Sequence, residues 1–79
     1  MKIERIQTGV RMEKRLVKVL KGTAEYLDMS LGDLLEGIVL HAFEGKNPVF
    51  SPETQAKIVA LKKIYDLDLD ASHSHKLSE

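Results

Sequence analysis

The chain has 79 residues, no cysteine, and 12 basic and 12 acidic residues, so its formal net charge is zero with histidine neutral. These numbers exclude disulfides, thiolate zinc sites and cysteine nucleophiles, and no apolar run approaches the ~18 residues of a membrane span. A domain this short buries only about 60% of its unfolded surface, although 43% of the residues are hydrophobic. We therefore predict a cytoplasmic homodimer, in which the second subunit completes the core.

The zero net charge conceals an asymmetry along the chain. Residues 1–22 hold seven basic and two acidic residues, a balance of +5, and residues 23–79 hold the opposite balance of −5. A basic segment followed by an acidic one favours a polyanionic partner for the N-terminal part. A solvated charged face without a partner is the alternative interpretation.

Apolar and polar residues alternate with a period of two over residues 3–11, which predicts a strand. One face of it carries Ile6, Thr8 and Val10, and the other face carries Arg5, Gln7, Gly9 and Arg11. Because no second strand pattern follows, we expect the partner strand to come from another subunit, giving a two-stranded ribbon. A frayed N-terminal segment is the alternative.

Two helices are predicted after the strand, over about residues 13–27 and 31–44, because the apolar period changes to 3.6 residues. Between them, Asp28 tolerates a left-handed backbone and Ser30 is a good N-cap. Gly45 ends the second helix. The second helix has the widest apolar face, which we expect to form the dimer core; its members are Leu31, Leu34, Leu35, Ile38, Val39, Ala42 and Phe43.

A third helix is predicted over about residues 52–66, because Ser51 and Pro52 form a typical helix start. The loop before it has an apolar tip, Val49 and Phe50, which we expect to cover the edge of the core. The apolar edge of the third helix consists of Ile58, Leu61, Ile64 and Tyr65. The polar segment from about residue 69 lacks a helical period, so we expect it to be disordered.

The order of strand, helix, short turn and helix resembles the ribbon-helix-helix family of DNA-binding proteins, of the Arc and CopG type. The resemblance rests on the alternating strand, on Ala24 with its flanking apolar stripe and on the turn from Asp28 to Leu34. It implies a mainly α fold (β-α-α), here with a third helix, as an intertwined homodimer around a two-stranded antiparallel ribbon. The chain would divide into a dimerisation and DNA-binding core (1–45), a loop with the third helix (46–68) and a disordered tail (69–79).

The resemblance also implies that the ribbon enters the major groove of double-stranded DNA. The base-reading positions are Gln7, Gly9 and Arg11, with Arg5 as a further reader. The phosphate-binding positions are Ser30, Leu31 and Gly32 at the start of the second helix, with Lys14 of the first. Arginine can bind guanine and glutamine can bind adenine with two hydrogen bonds, and a helix N-terminus suits a phosphate. Gly9 departs from the family pattern, because it has no side chain to read a base.

The sequence therefore predicts a sequence-specific DNA-binding transcriptional regulator, with repression as the common mode of the family. One alternative is a protein-interaction module, such as the antitoxin of a toxin–antitoxin pair, that binds a protein partner through residues 46–79. Another is a ribbon-helix-helix dimer that has lost DNA binding and serves as a scaffold. We expect no enzymatic activity and no cofactor, because no catalytic constellation is recognisable, and His73 and His75 are too few ligands for a metal site.

Overall fold

Three α-helices make up the regular structure of the computed structural model, which describes residues 3–45 and 49–70. They are α1 (Lys14–Tyr26), α2 (Leu31–Glu44) and α3 (Pro52–Ile64). The three predicted helices are thus confirmed, with the same bounds for α2 and differences of one or two residues at the ends of the others. Within the described ranges, no helix is both long and apolar enough to cross a membrane.

The predicted strand is wrong. Residues 3–13, here called the N-terminal arm, form neither helix nor strand, and no sheet occurs among the described residues. A strand is stabilised by hydrogen bonds to a neighbouring strand, and residues 14–45 and 49–70 offer the arm no such neighbour. Its apolar side chains consequently lie in solvent, with Ile6 82% and Val10 71% exposed. The fold is therefore mainly α, and the β-α-α arrangement with a two-stranded antiparallel ribbon is not present.

The turn between α1 and α2 is built from local hydrogen bonds. Asp28 has a left-handed backbone, with φ of 58°. The amide of Met29 donates to the carbonyl of Ala24 at 3.0 Å, and the amide of Asp28 donates to the carbonyl of Glu25 at 3.1 Å. These two bonds form a Schellman motif, which satisfies the last carbonyls of the helix. On the other side of the turn, the hydroxyl of Ser30 accepts from the amide of Asp33 at 3.0 Å, which confirms Ser30 as N-cap.

The start of α1 is capped by an acidic side chain. Glu13 accepts hydrogen bonds from the amides of Arg15 and Leu16, at 2.8 and 3.1 Å. The side-chain hydrogen bond from Arg15 and the backbone bond from Leu16 lower the pKa of Glu13. Because the pKa of Glu13 is lower in the folded state than in the unfolded state, the ionised cap stabilises the fold at pH values above the pKa of the unfolded state. This stability is lost as the pH falls through the pKa of the folded state.

The helix α2 lies between the other two, since it packs against both α1 and α3. The buried apolar side chains are Ala24, Leu34 and Leu40, and Leu34 is only 1% exposed. Two members of the wide apolar face expected on α2, Ile38 and Val39, are 43% and 44% exposed. A single chain therefore covers only part of that face.

The start of α3 is fastened to the end of α2. Gly45 ends α2 with φ of 74°, and the side-chain amide of Gln55 donates to the carbonyl of Phe43. Ser51 caps α3 and Pro52 occupies its first turn, as predicted. Phe50 is half-buried, but Val49 is 70% exposed, so Val49 does not cover the core as expected.

Two glycine substitutions should have opposite effects on stability. A Cβ at Gly45 would require a left-handed alanine and would lie 3.1 Å from Cδ of Gln55, so Gly45→Ala should lower the free energy of unfolding by about 1–2 kcal/mol. A Cβ at Gly22, inside α1, meets nothing within 4 Å, so Gly22→Ala should raise the free energy of unfolding by about 1 kcal/mol. Urea denaturation measures both, and effects of the same sign would contradict this description of the two sites.

Candidate nucleic-acid interface

The N-terminal arm carries the four predicted base-reading positions, and all four are exposed; they are Arg5, Gln7, Gly9 and Arg11. No helix or strand fixes their relative orientation. The structure therefore presents these residues to solvent as part of one segment, but it does not arrange them on the face of a ribbon.

Arg5 differs from the other arm residues because it is held by a carboxylate. Its Nε donates to Oε2 of Glu36 at 3.0 Å and its Nη2 donates to Oε1 at 3.2 Å. The hydrogen bond and the charge of Glu36 raise the pKa of Arg5, with a smaller contribution from Asp33. The predicted base reader is thus bound to α2 in the structure.

A row of lysines follows the arm on α1. Lys14, Lys18 and Lys21 are spaced by four and three residues, which places them on one face of the helix, and all three are exposed. In the described part of the chain, neither they nor Arg11 form an ion pair. Arg11, Lys14, Lys18 and Lys21 are called the basic stripe below. Arg15, by contrast, pairs with Glu13 at 2.9 Å.

The start of α2 has the features expected of a phosphate contact, but acidic groups surround it. The amides of Leu31 and Gly32 belong to the first turn, where helical amides have no carbonyl partner within the helix, and Gly32 is exposed. An open cleft of about 380 Å³ adjoins Leu31, and Glu25 and Asp28 line it together with Lys21, Ala24 and Met29. These carboxylates repel a phosphate and also lower the positive potential around Lys21, so Arg11, Lys14 and Lys18 are the stronger anion-binding part of the chain.

The structure therefore brings the predicted base-reading and phosphate-binding residues together only in part. The arm leads directly into the basic stripe, so Gln7, Gly9, Arg11 and Lys14 are continuous along the chain. No hydrogen bond or ion pair among the described residues joins the arm to Ser30, Leu31 or Gly32. The residue that sequence reasoning missed is Glu36. It lies 31 positions from Arg5, and no local pattern signals a pair at that separation.

The C-terminal segment holds two of the three histidines, His73 and His75. In residues 3–45 and 49–70, no group of three or more histidine, cysteine, aspartate or glutamate side chains is placed to hold a metal ion. His73 and His75, and the tail predicted to be disordered beyond residue 70, lie outside the described residues.

Comparisons of the chain with protein-family models, with curated proteins and with solved structures found no match in any of the three. The resemblance to the ribbon-helix-helix family thus stays a prediction, which depends on the helix order and on the turn between α1 and α2. Any functional argument must come from the residues of this chain.

Proposed function

We propose that this protein is a sequence-specific DNA-binding transcriptional regulator, acting as a repressor, and that it binds double-stranded DNA through the N-terminal arm and the basic stripe. The observation that carries the proposal is the stripe itself: Arg11, Lys14, Lys18 and Lys21 are exposed cations that form no ion pair with any carboxylate of residues 3–45 and 49–70. The cytoplasmic location expected from the sequence is kept as part of the proposal.

The dimensions of the basic stripe suit a phosphate backbone. With a rise of 1.5 Å per residue, Lys14 to Lys21 spans about 10 Å of helix. Phosphates of one DNA strand recur about every 3.4 Å along the duplex axis, so the three lysines can face about three successive phosphates. Neutralising phosphates releases counterions, which provides sequence-independent affinity and aligns the protein on the duplex.

Sequence recognition is assigned to the arm. An irregular N-terminal arm can lie in a groove without pairing as a strand, as the arms of other DNA-binding domains do. Gln7 and Arg11 are exposed and have side chains that bind adenine and guanine, respectively, with two hydrogen bonds each. Gly9 contributes no base contact, but its lack of a side chain lets the backbone approach the DNA closely.

A homodimer is part of the proposal because much apolar surface is exposed on α1 and α2. Leu16, Val19 and Tyr26 of α1 are 50%, 65% and 87% exposed. A contiguous exposed apolar surface commonly marks a protein–protein interface. A dimer would cover part of this surface and present two arms to two DNA half-sites.

The role of the basic stripe can be tested with a charge-matched pair of triple variants. Replacing Lys14, Lys18 and Lys21 by glutamine should weaken DNA binding and flatten its salt dependence by up to about 0.9 log units per lost phosphate contact. The control replaces Lys57, Lys62 and Lys63 of α3 by glutamine, which removes the same charge from another helix. Fluorescence anisotropy with a DNA duplex in a salt titration measures both. Equal losses in the two variants would contradict a specific role for the stripe.

Base reading by the arm can be tested after a preferred site has been selected from a random DNA pool. Gln7→Ala changes no charge, so it should leave nonspecific binding intact and reduce the preference for the selected site by about 1–3 kcal/mol, or roughly 5- to 150-fold. Thr8→Ala, a neutral change at the adjacent position, is the control. An unchanged preference in Gln7→Ala would disprove this assignment.

A second candidate function is protein binding through α3, as in an antitoxin. Leu61, Ile64 and Tyr65 are 43%, 67% and 77% exposed near the end of this helix. Asp66 and Asp68 lie next to them, and Lys62 and Lys63 line the same open cleft of about 390 Å³. An exposed apolar patch of this kind commonly marks a protein-binding surface. The remaining alternative, a scaffold without DNA binding, would be supported if the protein failed to bind DNA even at low salt.

The second function predicts a partner encoded beside this gene. Co-expression with the product of the neighbouring reading frame should yield a complex that survives purification. Ile64→Asp should abolish the complex, because it places a charge inside the apolar patch. The matched control is Val49→Asp, which adds the same charge at a side chain 70% exposed outside α3. A complex unaffected by Ile64→Asp would exclude α3 as its binding surface.

A further inference from the structure

The contact between Arg5 and Glu36 joins the N-terminal arm to the helical body. It consists of two parallel hydrogen bonds, at 3.0 and 3.2 Å, between residues 31 positions apart. Among the described residues, it is the only ion pair between the arm and the helical body beyond α1. The other side chains of the arm are exposed, so this pair largely fixes where the arm lies on the body.

The pair is accessible and reversible. The side chains of Arg5 and Glu36 are 56% and 46% exposed, and ion pairs in water contribute little stability because solvent screens them. Asp33 lies one helical turn before Glu36 and adds negative potential, which contributes to the raised pKa of Arg5. Arg5 is thus bound at an acidic position on α2, by a contact that a competing anion can replace.

A DNA phosphate is such a competing anion. The guanidinium group binds carboxylate and phosphate with the same planar pair of N–H donors. While those donors are directed at Glu36, they are not available to DNA. Arg5 therefore cannot keep its contact with Glu36 and also bind a phosphate through the same two donors.

We propose that Glu36 is an intramolecular competitor of DNA phosphate for Arg5, so that the arm is latched to α2 in the free protein and released when DNA takes its place. This inference rests on the proposed DNA-binding function. It assigns Glu36 a regulatory role in that function, which is to lower the affinity for DNA without contacting it. Removing the carboxylate should consequently strengthen binding, but only while Arg5 is present.

A double-mutant cycle tests the competition. Glu36→Gln should tighten DNA binding about two- to fivefold per subunit, the range given by an exposed ion pair, and Arg5→Gln should weaken it and lower the salt slope by about 0.9 per subunit. In the double variant the gain from Glu36→Gln should vanish. Glu53→Gln, which removes one exposed negative charge from α3, is the control for the general effect of charge. A gain in Glu36→Gln that persists without Arg5 would overturn the proposal.

The latch itself can be tested without DNA. Trypsin should cleave after Arg11 faster in Glu36→Gln and in Arg5→Gln than in the wild-type chain, and Glu53→Gln should leave the rate unchanged. Circular dichroism verifies that each variant keeps its helices. Unchanged cleavage in Glu36→Gln and Arg5→Gln would show that the pair does not hold the arm, and would overturn the proposal whatever the DNA data.

The two readouts separate the failure of this inference from the failure of the proposed function. If the arm is released in both variants but no variant binds DNA, the proposed function is wrong, and the competition is wrong with it. If DNA binds and the arm is released, but the affinity does not depend on Glu36 through Arg5, the proposed function stands and only the competition is refuted.

Discussion

Leu34 and Leu40 of α2, together with Ala24 of α1, are the apolar side chains that the described chain buries. The position of every other element depends on this small core, because α1 and α3 each pack against α2. A core of this size provides little hydrophobic free energy, since burial contributes about 25 cal/mol per Å² of apolar surface. Small domains with so little buried surface commonly rely on a partner. The limited core is therefore the physical basis for expecting a second subunit.

The same constraint explains why so much of the functional surface is accessible. Among the described residues, only Ala24, Leu34 and Leu40 are buried apolar residues. The helices therefore expose much of their circumference to solvent, including the lysines of α1 and the apolar end of α3. The charges are only partly separated along the chain. The basic stripe lies on α1 and its preceding arm, and carboxylates dominate the turn between α1 and α2, but the last turn of α3 holds Lys62 and Lys63. The basic stripe and the exposed apolar end of α3 thus lie on different helices.

The N-terminal arm shows how weakly a segment is specified when it lacks a hydrogen-bonding partner. Its alternating pattern has the period of a strand, but period alone does not supply the interstrand hydrogen bonds that a strand requires. What positions the arm instead is one ion pair, between Arg5 and Glu36. Since that pair is largely exposed to water, the arm is held much less firmly than the helices are.

The sequence by itself determined the three helices, the caps at Ser30, Gly45 and Ser51 and the turn between α1 and α2, because these depend on interactions within about five residues. Such local hydrogen bonds and backbone preferences act at Asp28, Ser30, Gly45 and Ser51. The N-cap of α1, Glu13, is not among the predicted caps. The basic stripe was also readable, since it follows from helical spacing. Only the tertiary structure decided which apolar faces are buried, that the arm forms no strand and that Arg5 meets Glu36. These depend on contacts between distant residues, whose pairing is set by how the helices pack and not by any local pattern.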